Sequence, residues 1–280
     1  MVEFVDFFAE LGTGHKLVWL IICLSFFLVI ESFTPLFKGG YRSKVHMKTN
    51  FALIAGVLIC NVILGAISVS LFEWLGTNNW GVLNLVDGAL WIELLASIVV
   101  LDFIAQYCAH WSVHNIKLLW RVHLVHHSDT HVDTTTGLRL HPLDYLVRES
   151  YAIFAIFILD IPLAFYLMYR IFTIAFTHFN HANIKLPTRV DKAISYVFVS
   201  PNMHKFHHHY RVPLTDKNYG NILSIWDRIF GTFYYGDVSK IKYGLDITDE
   251  DKANDLKYQL MLPLTNDGLA LRAKGNQENK

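Results

Sequence analysis

No lysine or arginine occurs between Thr49 and Ile116, and none between Glu149 and Tyr169. Apolar residues fill most of both stretches. A chain built this way cannot present them all to water, so it must bury them in a bilayer. Residues 17–33, 51–71 and 89–109 each approach the roughly 20 apolar residues that a helix needs to cross a membrane. Their charges are few: Glu31 near the end of the first, Glu93 and Asp102 in the third. Composition agrees, because a chain that is 53% hydrophobic and 17% charged is too apolar for an ordinary water-soluble domain. The first run does not read as a cleavable leader. Acidic Glu3, Asp6 and Glu10 precede it, and no small-residue cleavage site follows.

Residues 151–176 are also apolar, but Asp160-Ile161-Pro162 interrupts them. Proline removes a helical hydrogen bond and clashes with the preceding turn. The segment reads as two helices that enter and return as a tight hairpin, each half short for a full span. A single kinked helix is the alternative.

Cations set the expected orientation. Lys38, Arg42, Lys44 and Lys48 crowd the loop after the first span, and no acid lies between Glu31 and Glu73. The positive-inside rule puts that loop in the cytoplasm. The third span then returns to the cytoplasm near His110, and everything after His178 is cytoplasmic. The expected organisation is a set of N-terminal transmembrane helices (1–100), a histidine-bearing domain that includes the hairpin (101–240) and a polar, solvated cytoplasmic tail (241–280). Such a multi-pass protein belongs in a bacterial inner membrane or an endoplasmic reticulum membrane. The net charge is zero, which gives no sign of a nucleic-acid partner. Cys23, Cys60 and Cys108 are isolated in apolar runs and read as packing thiols.

Ten of the fifteen histidines fall into four tight groups. His110 and His114 are four residues apart where the third span ends. His123, His126 and His127 follow. His178 and His181 close the hairpin, and His204, His207 and His208 repeat the pattern of the second group. Offsets of three and four put rings on one helix face, while adjacent rings diverge enough to reach two different metals. Ser200 followed by Pro201 reads as an N-cap with proline in the first turn, so the fourth group opens a helix. One such group alone would read as ordinary surface or core histidines. Four groups converging on one membrane face point to metal ligation, since neutral imidazole suits iron, zinc, copper and nickel. His15 and His46, beside basic residues, read as solvated. His141 before Pro142 reads as a helix start, and His131 and His209 fall outside the spacing.

A structural zinc site takes four ligands. Ten suggest two metals with about five each, or four with positions open to a reactant. The zinc-protease signature HExxH is absent, and no carboxylate lies inside the groups as a hydrolytic base. The remaining common use of an imidazole-rich pair is activation of dioxygen at non-haem iron, with a lipid C–H bond as target. Two rivals stand beside it. A membrane metal-binding or transport protein should carry its ligands within the spans. A zinc-dependent membrane hydrolase needs neither dioxygen nor reductant.

The boxes and their flanks resemble the fatty acid hydroxylase/sterol desaturase superfamily. HxxxH and HxxHH are separated by eight residues, and a late HxxHH follows. Around them stand "DFIAQYCAHW", "GLRLHP", "SPNMHKFHHH" and "NYGNILSIWDRIFGTF", so the resemblance spans residues 102–233. It implies an all-α integral membrane bundle with a cytoplasmic helical cap, a dinuclear centre of two iron ions, and dioxygen-dependent hydroxylation or desaturation. Zinc can replace the iron on purification. The implied ligands are His110, His114, His123, His126, His127, His178, His181, His204, His207 and His208. Asp102, Asn218, Tyr219 and Asp227 could hold ligand rings by hydrogen bonds. The plainer readings are an interfacial charge for Asp102 and a helix-end or ion-pair role for Asp227. Trp226, Ile229, Phe230 and Phe233 read as cap packing or membrane contact. No cytochrome b5-like "HPGG", iron–sulfur cysteine set or GxGxxG is present, so electrons are expected from a separate cytochrome b5-like or ferredoxin-like donor. The substrate is expected to be a fatty acyl, sterol or related membrane lipid.

Overall fold

The computed structural model describes residues 2–265 apart from Gly40, Arg42, Asn79, Val86 and Asp87. Arg42, one of the cations on which the expected orientation of the first loop rests, and the tail beyond Thr265 lie outside the described residues. Among the described residues the chain is helical, and only two isolated bridges, Pro35 with Ile184 and Phe198 with Leu223, have β character.

Helix α1 (Val2–Ala9) leads into α2 (Thr13–Phe33), α3 (Lys44–Asn78) and α4 (Leu90–Leu101). The last continues through a π-helical segment, Asp102–Cys108, into α5 (Ala109–Asn115). Those wide turns re-phase the helix just before His110. Helices α2, α3 and the continuous rod from Leu90 to Asn115 are long and apolar enough to cross a membrane. Their outward faces carry Val18, Ile21, Phe26, Ile59, Val62, Ile67, Trp91 and Leu95, each more than half exposed. Continuous apolar surface of this kind requires lipid. Helix α3 outruns the expected span at both ends. Its 35 residues extend about 52 Å at 1.5 Å per residue, because no proline interrupts it.

The interrupted segment is a hairpin of two helices, α7 (Pro142–Leu159) and α8 (Leu163–His181). Asp160 takes the left-handed conformation that ends α7 (φ 59°), and Pro162 precedes the first turn of α8. Asn84 Nδ2 donates to Asp160 Oδ2 at 2.6 Å. At 18 and 19 residues the arms are longer than their apolar run suggests. The extra turns carry Asp144, Glu149, His178 and His181, all buried inside the bundle. His141 does open α7, its Nδ1 accepting from Leu143 N. Between the arms and α4 lies a core of Leu101, Ala155, Ile156, Phe165 and Leu167.

Helices α6 (Lys117–His127), α9 (Thr188–Ile194), α10 (Pro201–His207), α11 (Ile225–Ile229) and α12 (Leu256–Met261) form the layer around the histidines. The tail differs from expectation as far as Thr265. Leu245 and Leu262 pack with Leu53, Trp120 and Leu124, and Gln259 is fully buried. Arg139, also fully buried, donates to the Ala253 carbonyl, to Ser128 Oγ and to Asn50 Oδ1. The few apolar residues of this segment are diluted by charges, so its composition hides a packed face. Cys23, Cys60 and Cys108 are unpaired thiols, as expected.

Candidate metal centre

Nine imidazoles converge into two sets. His110, His114, His123, His127 and His207 form one, and His126, His181, His204 and His208 form the other. Within each set, one nitrogen per ring lies within 4.8 Å of all the rest. Adjacent residues separate as the helical angle requires: His126 and His127 join different sets, and so do His207 and His208. Helix α10 is anchored for this task. Ser200 Oγ caps it by accepting from Met203 N, and donates to buried Asp191 Oδ1 at 2.7 Å. The tenth predicted ligand, His178, is buried on a cavity wall that His181 shares, and belongs to neither set.

The rings are oriented by their second nitrogens. A carbonyl can only accept, so each Nδ1 that meets one carries the proton. Nδ1 of His110 donates to Tyr219 O (2.8 Å), that of His126 to Arg139 O (3.0 Å), and that of His181 to Thr177 O (2.7 Å). His207 donates to Lys217 O (2.8 Å) and His178 to Thr134 O (3.0 Å). His123 Nδ1 meets the Asp144 carboxylate at 2.7 Å, and His114 Nδ1 meets Asp216 at 3.2 Å. These bonds leave lone pairs on Nε2, and the lone pairs face one another. Nε2 of His110 and His123 are 3.2 Å apart, and those of His126 and His181 are 3.1 Å apart. Two acceptors at that distance repel unless a cation lies between them. Two bonds of about 2.0–2.1 Å from imidazole nitrogens to one metal give a similar spacing. Nδ1 of His127 and both ring nitrogens of His208 are buried with no hydrogen-bond partner among the described residues. The donor set therefore fits two metal ions.

Electrostatics agrees. Burial, and then neighbouring rings or Arg148, hold His123, His126, His127, His204 and His208 well below the ordinary imidazole value. His207 is lowered to about 3, chiefly by burial. All are neutral at physiological pH, as metal ligation requires.

Three of the four residues expected to hold the rings, Asp102, Asn218 and Asp227, direct their side-chain hydrogen bonds elsewhere. Asp227 accepts from Tyr219 N (2.7 Å) and Gly220 N (3.0 Å) and so clamps a loop. Of the four, Tyr219 reaches a ring through its backbone carbonyl, on His110. Asn218 bonds Met203 O, Tyr234 O and Tyr234 N. Asp102 accepts from Trp226 Nε1 at 2.9 Å and Leu223 N at 3.2 Å. The carboxylates that meet the rings, Asp144 and Asp216, carry no signal in the histidine spacing. Arg148 in turn grips Asp144 at 3.2 Å. His46 also departs from expectation. It is buried, with Nε2 2.9 Å from Asp129 and Nδ1 3.6 Å from Asp133. Burial alone would raise the Asp129 carboxyl, but His46 and Arg139 hold it well below its usual range. His15 remains exposed.

A cavity of about 200 Å³ adjoins both sets, with His110, His126, His178, His181 and His204 in its wall. Away from the rings it runs between α7 and α8, past apolar Leu20, Ile54 and Ile174 and polar Glu149 and Arg170.

The fatty acid hydroxylase family model matches residues 94–232. An alkylglycerol monooxygenase from Caenorhabditis elegans is 28% identical over 264 residues, covering 92% of this chain and 49% of that protein. An ornithine lipid hydroxylase from Rhizobium tropici is 26% identical over 201 residues, covering 72% and 55%. The alkylglycerol monooxygenase of Homo sapiens is 29% identical over 167 residues, covering 60% and 36%. The chain thus spans about half the length of the first two relatives. No solved structure matches it. The relatives are lipid-oxidising enzymes, and the matched segment supplies every converging imidazole; the chain belongs to the fatty acid hydroxylase/sterol desaturase superfamily.

Proposed function

We propose that this protein is a membrane-bound, dioxygen-dependent lipid hydroxylase with a di-iron centre. The observation that carries the proposal is the pair of imidazole sets whose lone pairs converge beside a cavity between membrane-level helices. The sets of five and four would each hold one iron, and His178 stands in the wall beside the smaller set. Two bound irons would supply the activation of dioxygen that an unactivated C–H bond demands. Hydroxylation is favoured over desaturation because the relatives are named as monooxygenases and hydroxylases. Their names also favour a lipid with a polar head.

The chain's own residues have definite tasks in this reading. Asp144 and Asp216 keep protons on the Nδ1 atoms of His123 and His114 and so keep Nε2 free to bind metal. The carbonyls of Tyr219, Arg139, Thr177 and Lys217 do the same for four more rings. The apolar wall receives the chain of the lipid and keeps bulk water from the reacting carbon. One oxygen atom enters the lipid and the other leaves as water, so two electrons and two protons must arrive from outside. A separate cytochrome b5-like or ferredoxin-like protein delivers the electrons on the cytoplasmic side, where the charge pattern puts the histidines.

Iron-loaded protein in nanodiscs, given reductant and a lipid mixture under isotopically labelled dioxygen, should yield a lipid carrying the label. A lipid product that forms equally well without dioxygen and reductant would contradict the proposal and favour a zinc hydrolase.

A further inference from the structure

Residues 182–198 and 222–230 pack against each other at the histidine-bearing ends of the spans. The Ser224 hydroxyl and the Arg228 guanidinium both donate to Ser195 O, and Ser224 N donates to Val197 O. Their shared outer surface is apolar. Tyr196 and Ile229 are 59% and 62% exposed, and Val190, Val197, Phe198 and Phe230 are exposed beside them. The charge on this surface has one sign. Lys185, Arg189, Lys192 and Arg228 are exposed, whereas the two acids of these segments, Asp191 and Asp227, are fully buried. Asp191 accepts from Ser200 Oγ and Tyr235 Oη, and Asp227 from Tyr219 N, so both face inward. Arg228 lies over the rings of Tyr196 and Phe233. Lys185, Arg189 and Lys192 have no carboxylate partner among the described residues. The shelf meets the membrane-level helices through aromatic rings. Phe198 packs on Phe176 of α8 with centroids 5.5 Å apart, and Phe230 on Phe103 of the rod from Leu90 to Asn115 at 5.6 Å.

We propose that this shelf lies in the head-group layer of the bilayer and binds anionic phospholipid. Its lipid contact depends on the membrane spans and not on the oxidation chemistry. Exposed rings and aliphatic side chains beside unpaired cations are what an interfacial element needs. The apolar groups enter the boundary of the acyl chains, while lysine and arginine stems reach back to the phosphates. The charge pattern of the first loop puts the shelf at the cytoplasmic leaflet, whose anionic lipids attract such cations. An acidic electron-transfer protein would also match the cations. The apolar half of the shelf decides for the bilayer, because it continues onto Phe176 and Phe103 of helices that already face lipid. The shelf bears directly on the metal centre. Asp191 of α9 fastens the start of α10 through Ser200 Oγ and Asn202 N, and α10 carries His204 and His207. Seating α9 in the leaflet therefore fixes the depth of the metal-bearing helix.

Local quenching tests the assignment without turnover. A bimane fluorophore is placed at Val190→Cys or Ile229→Cys, in a chain whose three native cysteines are replaced by serine, and the protein is set in phosphatidylcholine nanodiscs. Spin-labelled phosphatidylcholine or spin-labelled phosphatidylglycerol is then added. Both should quench the fluorophore, and phosphatidylglycerol should do so with about tenfold higher apparent affinity, since each cation near an anionic surface contributes several-fold. The fluorophore reports its own surroundings, so lipid held elsewhere on the protein is not counted. Lys185→Gln/Arg189→Gln/Lys192→Gln should abolish the preference and keep quenching by phosphatidylcholine. Equal quenching by the two lipids in the chain with its cations intact, or an unchanged preference in the triple variant, would overturn the assignment. Quenching by aqueous iodide and by neither lipid would overturn it too, and protection from iodide by an acidic electron-transfer protein would reassign the shelf to the donor. A second measurement uses the chain with its cysteines intact and needs no fluorophore. Reductive methylation of Lys185 and Lys192, read by peptide mass spectrometry, should be several-fold slower in nanodiscs containing phosphatidylglycerol than in phosphatidylcholine alone. Equal rates would contradict the proposal.

Discussion

His207 and His15 show how differently two histidines of one chain are used. His207 is fully buried with its Nδ1 committed to Lys217 O, and its Nε2 belongs to the set of five. His15 is exposed and bonds Gly12 N within its own turn. His207→Ala should abolish turnover and lower metal occupancy, whereas His15→Ala should leave both unchanged, as measured by product formation and metal content in matched membranes. Asp144→Ala leaves every ligand in place but frees the His123 ring. Loss of such a supporting partner weakens metal binding by roughly 10–100-fold. A chelator titration of the variant should show it, and an unchanged titration would remove Asp144 from the account. At this scale the sequence shows ligands better than their supports. Imidazole spacing is local, so three- and four-residue offsets reveal it. Asp144 and Asp216 lie 21 and 102 residues from the rings they hold, and carbonyl acceptors have no side-chain signature at all. His46 reads as solvated in the sequence for the same reason, since its partner Asp129 is 83 residues away.

At the scale of elements, the loop before α11 does as much as any helix. Asp227 clamps it, and its Tyr219 carbonyl orients His110. Glycine is required within it. A Cβ on Gly220 would lie 2.5 Å from Leu223 O and 3.0 Å from Asp227 Oδ2. Gly220→Ala should cost about 1–3 kcal/mol, as overpacking does, and loosen metal in the set that holds His110. A lower melting temperature together with faster metal loss would report both. Helix α10 makes a second case. Its cap and first-turn proline were legible, but Asp191, which fastens that cap, was not. Burial lowers the titration of His204, His207 and His208 relative to an unfolded imidazole near ~6.5. Below that value the unfolded chain binds more protons, so stability falls as pH falls. Metal-stripped protein should lose stability steadily below about pH 6.5 and change little above it. A denaturation midpoint that does not move down to about pH 5 would contradict the burial of neutral rings.

At the scale of the molecule, the apolar runs gave away the spans and the hairpin, because a bilayer imposes length and composition on a helix. The layer around the histidines was less legible. Its helices are short, and its tail segment hides Leu245 and Leu262 among charges. The charge pattern of the first loop predicts that the C-terminus lies in the cytoplasm. A reporter fused after Lys280 should therefore be active inside the cell; activity confined to the outside would reverse the topology and place the electron donor on the other face.

The central claim is that this chain builds a two-metal site, and elemental analysis of the folded, purified protein tests it most directly. Nine converging imidazoles in two sets predict two transition-metal ions per chain, whether iron or the zinc that readily replaces it during overexpression. One ion per chain, or none, in a protein that remains folded would contradict the account.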